Sequence, residues 1–410
     1  MSTGIFSSGQ LTQDLAKKSF AQMITRLMPS GNAPLFGMTS MLPSDTAMQT
    51  EHGFFTKTMI FPQLTLSAAG QTSTDTVFTV TSTTNVLAGM IMRVDSTGEN
   101  VIIDSIISPT SVAVTRAVGN TSAATIAASI ALYQVGNAFE EASIRPQSLI
   151  INPLRITNFT QIFRNTWAIS DSVRATMMIA GETNVAESRQ DCAGFHAADI
   201  EKALFWGQKS QGTRNSQPFR TMDGLIAIVG NISYYPSYYT LPNTNTAGAT
   251  TNYTQLEGFL DPVFNQSTDP KVANERVLFV GGTAKRVINS IGRLNGNYQI
   301  VDGQNSYGLQ FGTFKTARGT FRMVEHPLFN SNASWSKLAV AVDLSTFRVA
   351  YLGDRKTQNK EFNQPDKTDM DVSDNGIDAV GGTLTTEMTC VVKNPPANSI
   401  IFNLTAAAAG

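Results

Sequence analysis

The sequence predicts an α+β fold into which a compact all-β module is inserted. Three observations carry this expectation. Residues 65–136 repeat short runs of period-two patterning, separated by turn formers every 8–12 residues. One long amphipathic helix is written into 183–209. A strand–turn–helix unit near 276–291 is followed by further short strands to the end of the chain.

Composition narrows the class. The chain has 410 residues, more than the ~250–300 at which single cores stop growing, so more than one core is expected. Lys and Arg number 30 against 31 Asp and Glu, a net charge of −1, and charged residues make up only 15%, where ~25% is usual. Polar neutral residues replace the missing charge, since mean hydropathy is −0.07. This excludes a membrane-embedded chain, an acidic disordered chain and a globally basic nucleic-acid binder. Few charges suit a surface covered by neighbours. The N-terminus lacks a basic stretch followed by an apolar run, and no run of about 18 apolar residues occurs, so the chain is expected to fold in a cytoplasm.

Taken in order, residues 1–48 read as an arm. It holds one amphipathic segment, Leu11 to Leu27, ended by Pro29, Gly31, Pro34 and Pro43. Phe54–Phe61 and Ile144–Ile156 read as the two limbs of a long hairpin. The module between them contains only six charged residues: Asp75, Arg93, Asp95, Glu99, Asp104 and Arg116. Its runs Thr76–Val80, Met90–Val94, Val101–Ile103 and Ser111–Val114 alternate like half-buried strands. The helix at 183–209 has Thr183 as its cap and Val185, Cys192, Phe195, Ile200, Leu204 and Phe205 as its apolar side. Residues 230–253 form a Tyr-, Asn- and Thr-rich loop. Arg276–Val280 is a strand running through Gly281-Gly282 into a helix capped by Thr283. Strands at 321–324, 338–342 and 347–352 follow, and a last pair, Thr383–Val392 with Ser399–Leu404, closes the chain.

No constellation for catalysis emerges. The three histidines, His52, His196 and His326, are isolated, and His196 lacks the second histidine one turn away that a zinc helix needs. Hydrogen-bonded structural histidines are expected. Cys192 and Cys390 show no C-x-x-C spacing and read as buried thiols. Val280-Gly281-Gly282-Thr283-Ala284-Lys285 opens a helix after a strand but has neither phosphate-loop spacing. In Asp369–Asp378, aligning Gly376 with the sixth position of a calcium loop puts Asp371, Ser373 and Asn375 at the first ligands. Gly382 then falls where a bidentate glutamate is required, so a hydrated acidic loop is predicted. Glu140-Glu141 would point to opposite faces of a strand. Basic residues are scattered: Lys17, Lys18 and Arg26 in the arm, then Lys315, Arg318 and Arg322. No catalytic, cofactor-binding or metal residue is assigned, and no enzyme activity is expected.

The order of elements, from arm and interrupted hairpin to long helix, mixed lobe and returning strands, resembles the Hong Kong 97-type major capsid fold of tailed bacteriophages. Segments that carry the resemblance are Arg155–Thr166 with Ile169-Ser170, Asp199–Ala203, Arg220–Leu225 and Thr385–Asn403. Gly98–Val101 and Val114–Ala117 resemble the β domain inserted in the extended loop in one branch of these proteins. The resemblance implies an N-terminal arm at 1–48 and an extended loop at 49–150 carrying the insertion at 65–136. It further implies a peripheral domain at 151–225 with the spine helix at 183–209, an axial domain at 226–382, and a return to the peripheral sheet at 383–410.

The implied function is structural. Hexamers and pentamers of the chain would build the icosahedral head of a double-stranded DNA phage, located in the virion capsid and holding DNA non-specifically. A portal protein would occupy one vertex, a decoration protein could bind outside, and no membrane is involved. The absence of a long charged helical leader implies a separate scaffolding protein. Lys57 lies in the extended loop, but no Asn and Glu match it, so covalent crosslinking is not expected. An encapsulin-like compartment shell is the alternative. A β-rich tail or adhesion protein would not explain the long helix.

Overall fold

The structure is a computed structural model that describes residues 33–57, 61–67, 70–150, 152–175, 184–236, 239, 241–265, 274–294, 302–306, 309–362 and 379–408. The arm segment Leu11–Leu27, the cap Thr183 and the acidic loop 369–378 lie outside these residues. The chain divides into two compact units, 55–155 and the residues on either side of it.

The larger unit opens with helix α1 (Pro34–Ser40), strand β1 (Asp45–Ala47) and strand β2 (Glu51–Thr56). The smaller unit then runs through β3 (Gln63–Thr65), β4 (Val77–Thr79), β5 (Met90–Val94), β6 (Glu99–Ser108), β7 (Ser111–Thr115) and β8 (Ala131–Asn137). These pair in the order β3-β8-β5-β6-β7-β4, and a bridge between Leu66 and Val80 joins the two ends. Ser67 N donates to Thr79 O at 2.9 Å and Thr81 N to Thr65 O at 2.9 Å across that seam. The module is therefore a closed six-stranded barrel. Alternate residues, among them Leu64, Phe78, Met92, Val101, Ile103, Val112 and Leu132, fill its interior, as period-two patterning requires.

The larger unit resumes with β9 (Leu154–Phe159), which pairs with β2, and β10 (Gln161–Ser170). Helices α2 (Asp171–Ala175) and α3 (Asn184–Trp206) follow, then the hairpin β11 (Ser210–Arg214) and β12 (Gln217–Thr221) and helix α4 (Leu225–Gly230). Next come β13 (Thr244–Thr246), α5 (Tyr253–Leu260), β14 (Glu275–Val280), α6 (Gly282–Leu294), β15 (Asp302–Ser306), β16 (Leu309–Lys315) and β17 (Thr320–Glu325). The chain ends through β18 (Ala339–Val342), β19 (Phe347–Leu352), β20 (Gln358–Phe362), β21 (Ala379–Val392) and β22 (Ser399–Phe402).

Two sheets organise this unit. One runs β1-β19-β21-β10, with β20 also paired to β21; the other, mixed and seven-stranded, runs β13-β22-β18-β14-β17-β16-β15. Both faces of the second are covered. Phe279, Val340 and Val342 face the core shared with α3 and α4, while Leu278, Val280, Ala339 and Ala341 face α5 and α6. This explains the unbroken apolar run at 338–342, as expected of strands buried on two sides.

Several expectations need correction. The returning limb of the hairpin is a strand only from Leu154, because Pro146 and Pro153 remove ladder donors and restrict the residues before them. The long helix stops at Trp206 rather than Lys209. A Cβ on Gly207 would stand 2.5 Å from Met222 O, and one on Gly224 would stand 2.7 Å from Ala203 O and Phe205 O, so two glycine backbones pack directly there. Phe195 does not belong to the helix's apolar side and is 59% exposed. At 100° per residue it points away from the buried row Cys192, His196, Ile200 and Leu204. Residues 212–214 are not a loop but part of a hairpin, whose Asn215 and Ser216 take φ values of 51° and 60°, the left-handed pair a two-residue turn demands. Helix α6 starts at Gly282, so Thr283 is inside it. Finally, β21 and β22 are not partners: β21 pairs with β10, β19 and β20, whereas β22 pairs with β13 and β18.

Candidate assembly elements

A single carboxylate fixes the start of α1. Pro34 starts α1, where its missing N–H costs nothing, and Leu35 and Met38 sink into the core beside Ile200 and Leu204 of α3. The first amides of α1 need an acceptor, and Glu201 of α3 supplies it. Leu35 N donates to Glu201 Oε1 at 2.9 Å and Phe36 N to Oε2 at 2.8 Å. His326 Nε2, from the turn after β17, reaches the same Oε1 at 2.7 Å. Glu201 and His326 are both fully buried. The imidazole stacks on Phe329 at 4.3 Å and meets the edges of Phe205 and Phe279. Its Nδ1 is buried without a hydrogen-bond partner among the described residues, and Nε2 is the donor to the Glu201 carboxylate. Sequence reading missed this cluster, since its members are 125 and 166 residues apart. The available signal was a glutamate flanked by Ile200, Leu204 and Phe205 on a buried helix face.

The stem of the hairpin is anchored by a second polar cluster. Asn158, within β9, sends its amide nitrogen to Asp223 O and Cys390 O, both at 3.0 Å. Its carbonyl oxygen accepts from Asp223 N at 2.8 Å. Asp223 Oδ1 accepts from Lys209 N at 2.6 Å, and burial raises the Asp223 carboxyl above its ordinary range despite Lys209. Lys209 Nζ turns to Thr157 O at 3.0 Å and lies 4.4 Å from the centre of the Phe159 ring. Cys390 Sγ donates to Asp223 O at 2.9 Å, and burial foremost, with the nearby Asp223 charge, pushes its thiol up to about 12.

The residues singled out in the sequence scatter. His196 is buried, with Nδ1 2.7 Å from Asn165 Oδ1 and Nε2 2.7 Å from Thr386 Oγ1, tying α3 to both β10 and β21. Cys192 and Cys390 are free and buried. Gly281 is required by space, because a Cβ there would meet the Ser336 backbone at 2.4 Å. The first amide of α6, Gly282 N, already binds Asn330 Oδ1 at 2.7 Å. Glu140 and Glu141 are exposed and lie beyond β8, not in a strand. Arg318 bonds Asn265, and Arg322 pairs with Glu275 at 2.8 Å on the surface. Lys57 is exposed. Among the described residues, no three His, Cys, Asp or Glu side chains gather as metal ligands, and no helix is long and apolar enough to cross a membrane.

What is left uncovered is as informative. Every residue from 138 to 150 is exposed and none of this stretch is helix or strand. It nevertheless carries Phe139, Ile144, Leu149 and Ile150, with Ile144 92% and Ile150 72% exposed. Phe55 and Phe61, on the outgoing side, are also exposed. Apolar side chains in such a run indicate surface that a partner covers.

A firmly anchored stem with a bare apolar limb marks an assembly subunit, a chain whose burial is completed by its neighbours. The chain belongs to the SU10 major capsid protein family, whose profile matches residues 3–405. It is 36% identical over 408 residues to the major capsid protein of Pseudomonas phage PaMx41, covering 98% of this chain and 96% of that one. Among solved structures it is similar to the capsid of a native GTA particle, with 9% identity, 97% of each chain covered and a TM-score of 0.47. It is also similar to a structure from Mycobacterium phage Adephagia, with 8% identity, 99% of each chain covered and a TM-score of 0.47. A third, the SrpI encapsulin of Synechococcus elongatus, shows 10% identity over 63% of this chain and 78% of that one, with a TM-score of 0.41. The protein is a structural component of the phage capsid, assembled in many copies into a shell.

Proposed function

We propose that the chain builds an icosahedral head of the Hong Kong 97 type around double-stranded DNA and performs no catalysis. Residues 1–48 serve as the arm and 49–150 as an extended loop carrying the barrel. Residues 151–225 form the peripheral domain and 226–382 the axial domain. In the closing segment, β21 lies with the peripheral strand β10 and β22 with the axial sheet. A separate scaffolding protein directs assembly, a portal occupies one vertex, a decoration protein can bind outside, and packaged DNA is held without sequence preference.

The observation that carries this reading is the bare limb 138–150. Ordering it costs chain entropy, which burial of Ile144 and Ile150 against a neighbouring copy offsets. The test is negative-stain microscopy of the full chain expressed with the scaffolding gene of its phage. Shells are expected from the wild type. Ile144→Asp combined with Ile150→Asp is expected to leave the subunit's circular dichroism unchanged and abolish shells; normal shells from that variant reject the limb contact. Deleting 1–32 should likewise give a folded, assembly-defective subunit. Deletion through residue 40 is a poorer test, because it removes Leu35 and leaves buried Glu201 without two of its donors.

A further inference from the structure

We propose that His326 is a positioning residue for the arm root, although the amides it controls lie on a different element, and that it makes arm docking depend on the seven-stranded sheet. The proposal rests on the reading that the arm takes part in assembly.

Glu201 is fully buried and has no Lys or Arg partner among the described residues. Its carboxylate is sustained there by three donors: Leu35 N, Phe36 N and His326 Nε2. A buried carboxylate is stable only while its lone pairs are occupied. The imidazole also fixes the carboxylate's orientation, holding Oε1 toward Leu35 N and Oε2 toward Phe36 N. Withdrawing it frees the carboxylate to turn and so weakens the hold on both amides of α1. His326 is itself set by the sheet, since its backbone N donates to Val280 O of β14 at 2.9 Å and its ring is stacked on Phe329. A shift of the central strands β14 and β17 relative to α3 would pull the imidazole from Oε1. The carboxylate of α3 is thus aimed at the arm root by a ring that the sheet holds, so the arm contact depends on the sheet contact. A subunit could in this way register at its arm root a displacement imposed by neighbours on its sheet.

Hydrogen exchange of the full-length subunit, read by mass spectrometry, separates this from ring packing. His326→Phe keeps an aromatic ring against Phe329, Phe205 and Phe279 but removes the donor. It is expected to speed exchange at Leu35 and Phe36 roughly tenfold, with the α6 peptide 282–294 unchanged. His326→Gln, which restores an N–H donor, should recover most of the protection. Wild-type exchange at Leu35 and Phe36 in His326→Phe would overturn the proposal, as would equally fast exchange in both variants. If His326→Phe does not fold, Glu201→Gln reads the same cluster, because its amide group must face one of the three donors. Unchanged exchange in that variant overturns the proposal as well. Failure of the wild type to form shells would reject the capsid reading while leaving this exchange result intact.

Discussion

Arg116 and Glu99 form an ion pair sealed into the wall of the barrel, with Nε to Oε1 at 2.9 Å and Nη2 to Oε2 at 2.6 Å. Their side chains are 6% and 0% exposed. Glu99 also accepts from Ala117 N and Ala124 N, while the guanidinium bonds Thr72 O and Ala124 O and lies over Phe78. One pair thus gathers the loop 116–126 onto the strands. Removing one partner strands a buried charge, so Arg116→Met is expected to destabilise the barrel by about 3–5 kcal/mol. The double variant Glu99→Leu/Arg116→Met should cost less than Arg116→Met alone. Thermal melts of the three proteins check this.

The same pair predicts acid sensitivity. Burial alone would raise the Glu99 carboxyl, but Arg116 and the amides of Ala124 and Ala117 outweigh it and hold it below the ordinary glutamate range. A depressed folded value stabilises above the unfolded value of about 4.3 and loses that stabilisation as pH falls through the folded value. Melting temperature should drop in that window for the wild type and drop less for Glu99→Gln.

His196 has the opposite charge type and the same direction of acid sensitivity. Burial, only partly opposed by Asp199, lowers its imidazole below the usual value. The unfolded chain then takes up a proton at about pH 6.5 that the folded chain refuses, so stability falls from that pH downward to the lowered folded value. His196→Gln should remove this component from a stability–pH profile between about pH 7 and 5. An identical slope in the variant would exclude His196 as its source.

Both thiols are shielded. Burial raises Cys192, and Cys390 is pushed up to about 12, so thiolate is scarce at neutral pH. Ellman's reagent should find no fast-reacting thiol in the folded subunit and two after denaturation.

Two glycines make a matched pair for backbone packing. Gly224→Ala would press a methyl onto three backbone atoms at 2.7 Å and is expected to cost about 1–3 kcal/mol. Gly258, within α5 with nothing near its missing Cβ, should instead gain about 0.5–1 kcal/mol as alanine. Denaturant titration distinguishes the two signs.

Local periodicity made the barrel strands, the long helix and α6 legible, because alternation and 3.6-residue spacing are written within one segment. What it could not convey were partners chosen across the chain. Glu201 with His326, Asn158 with Cys390, and the buried pair Arg276–Asp343 each join residues from different elements, and nothing nearby in sequence marks them. Phe195 misled for a related reason. An aromatic on a helix reads as core, yet the buried row there is taken by His196, whose two ring nitrogens are both satisfied. The split of β21 and β22 between sheets escaped because short apolar strands carry no label for their partners.

The seam at Leu66 and Val80 has a consequence for crowding. A lattice of many copies holds identical modules at high local concentration, the condition under which unpaired strand borders recruit one another into fibrils. A module that has joined its first strand to its last offers no such border. Each insertion stays a separate bead, however densely the shell packs it.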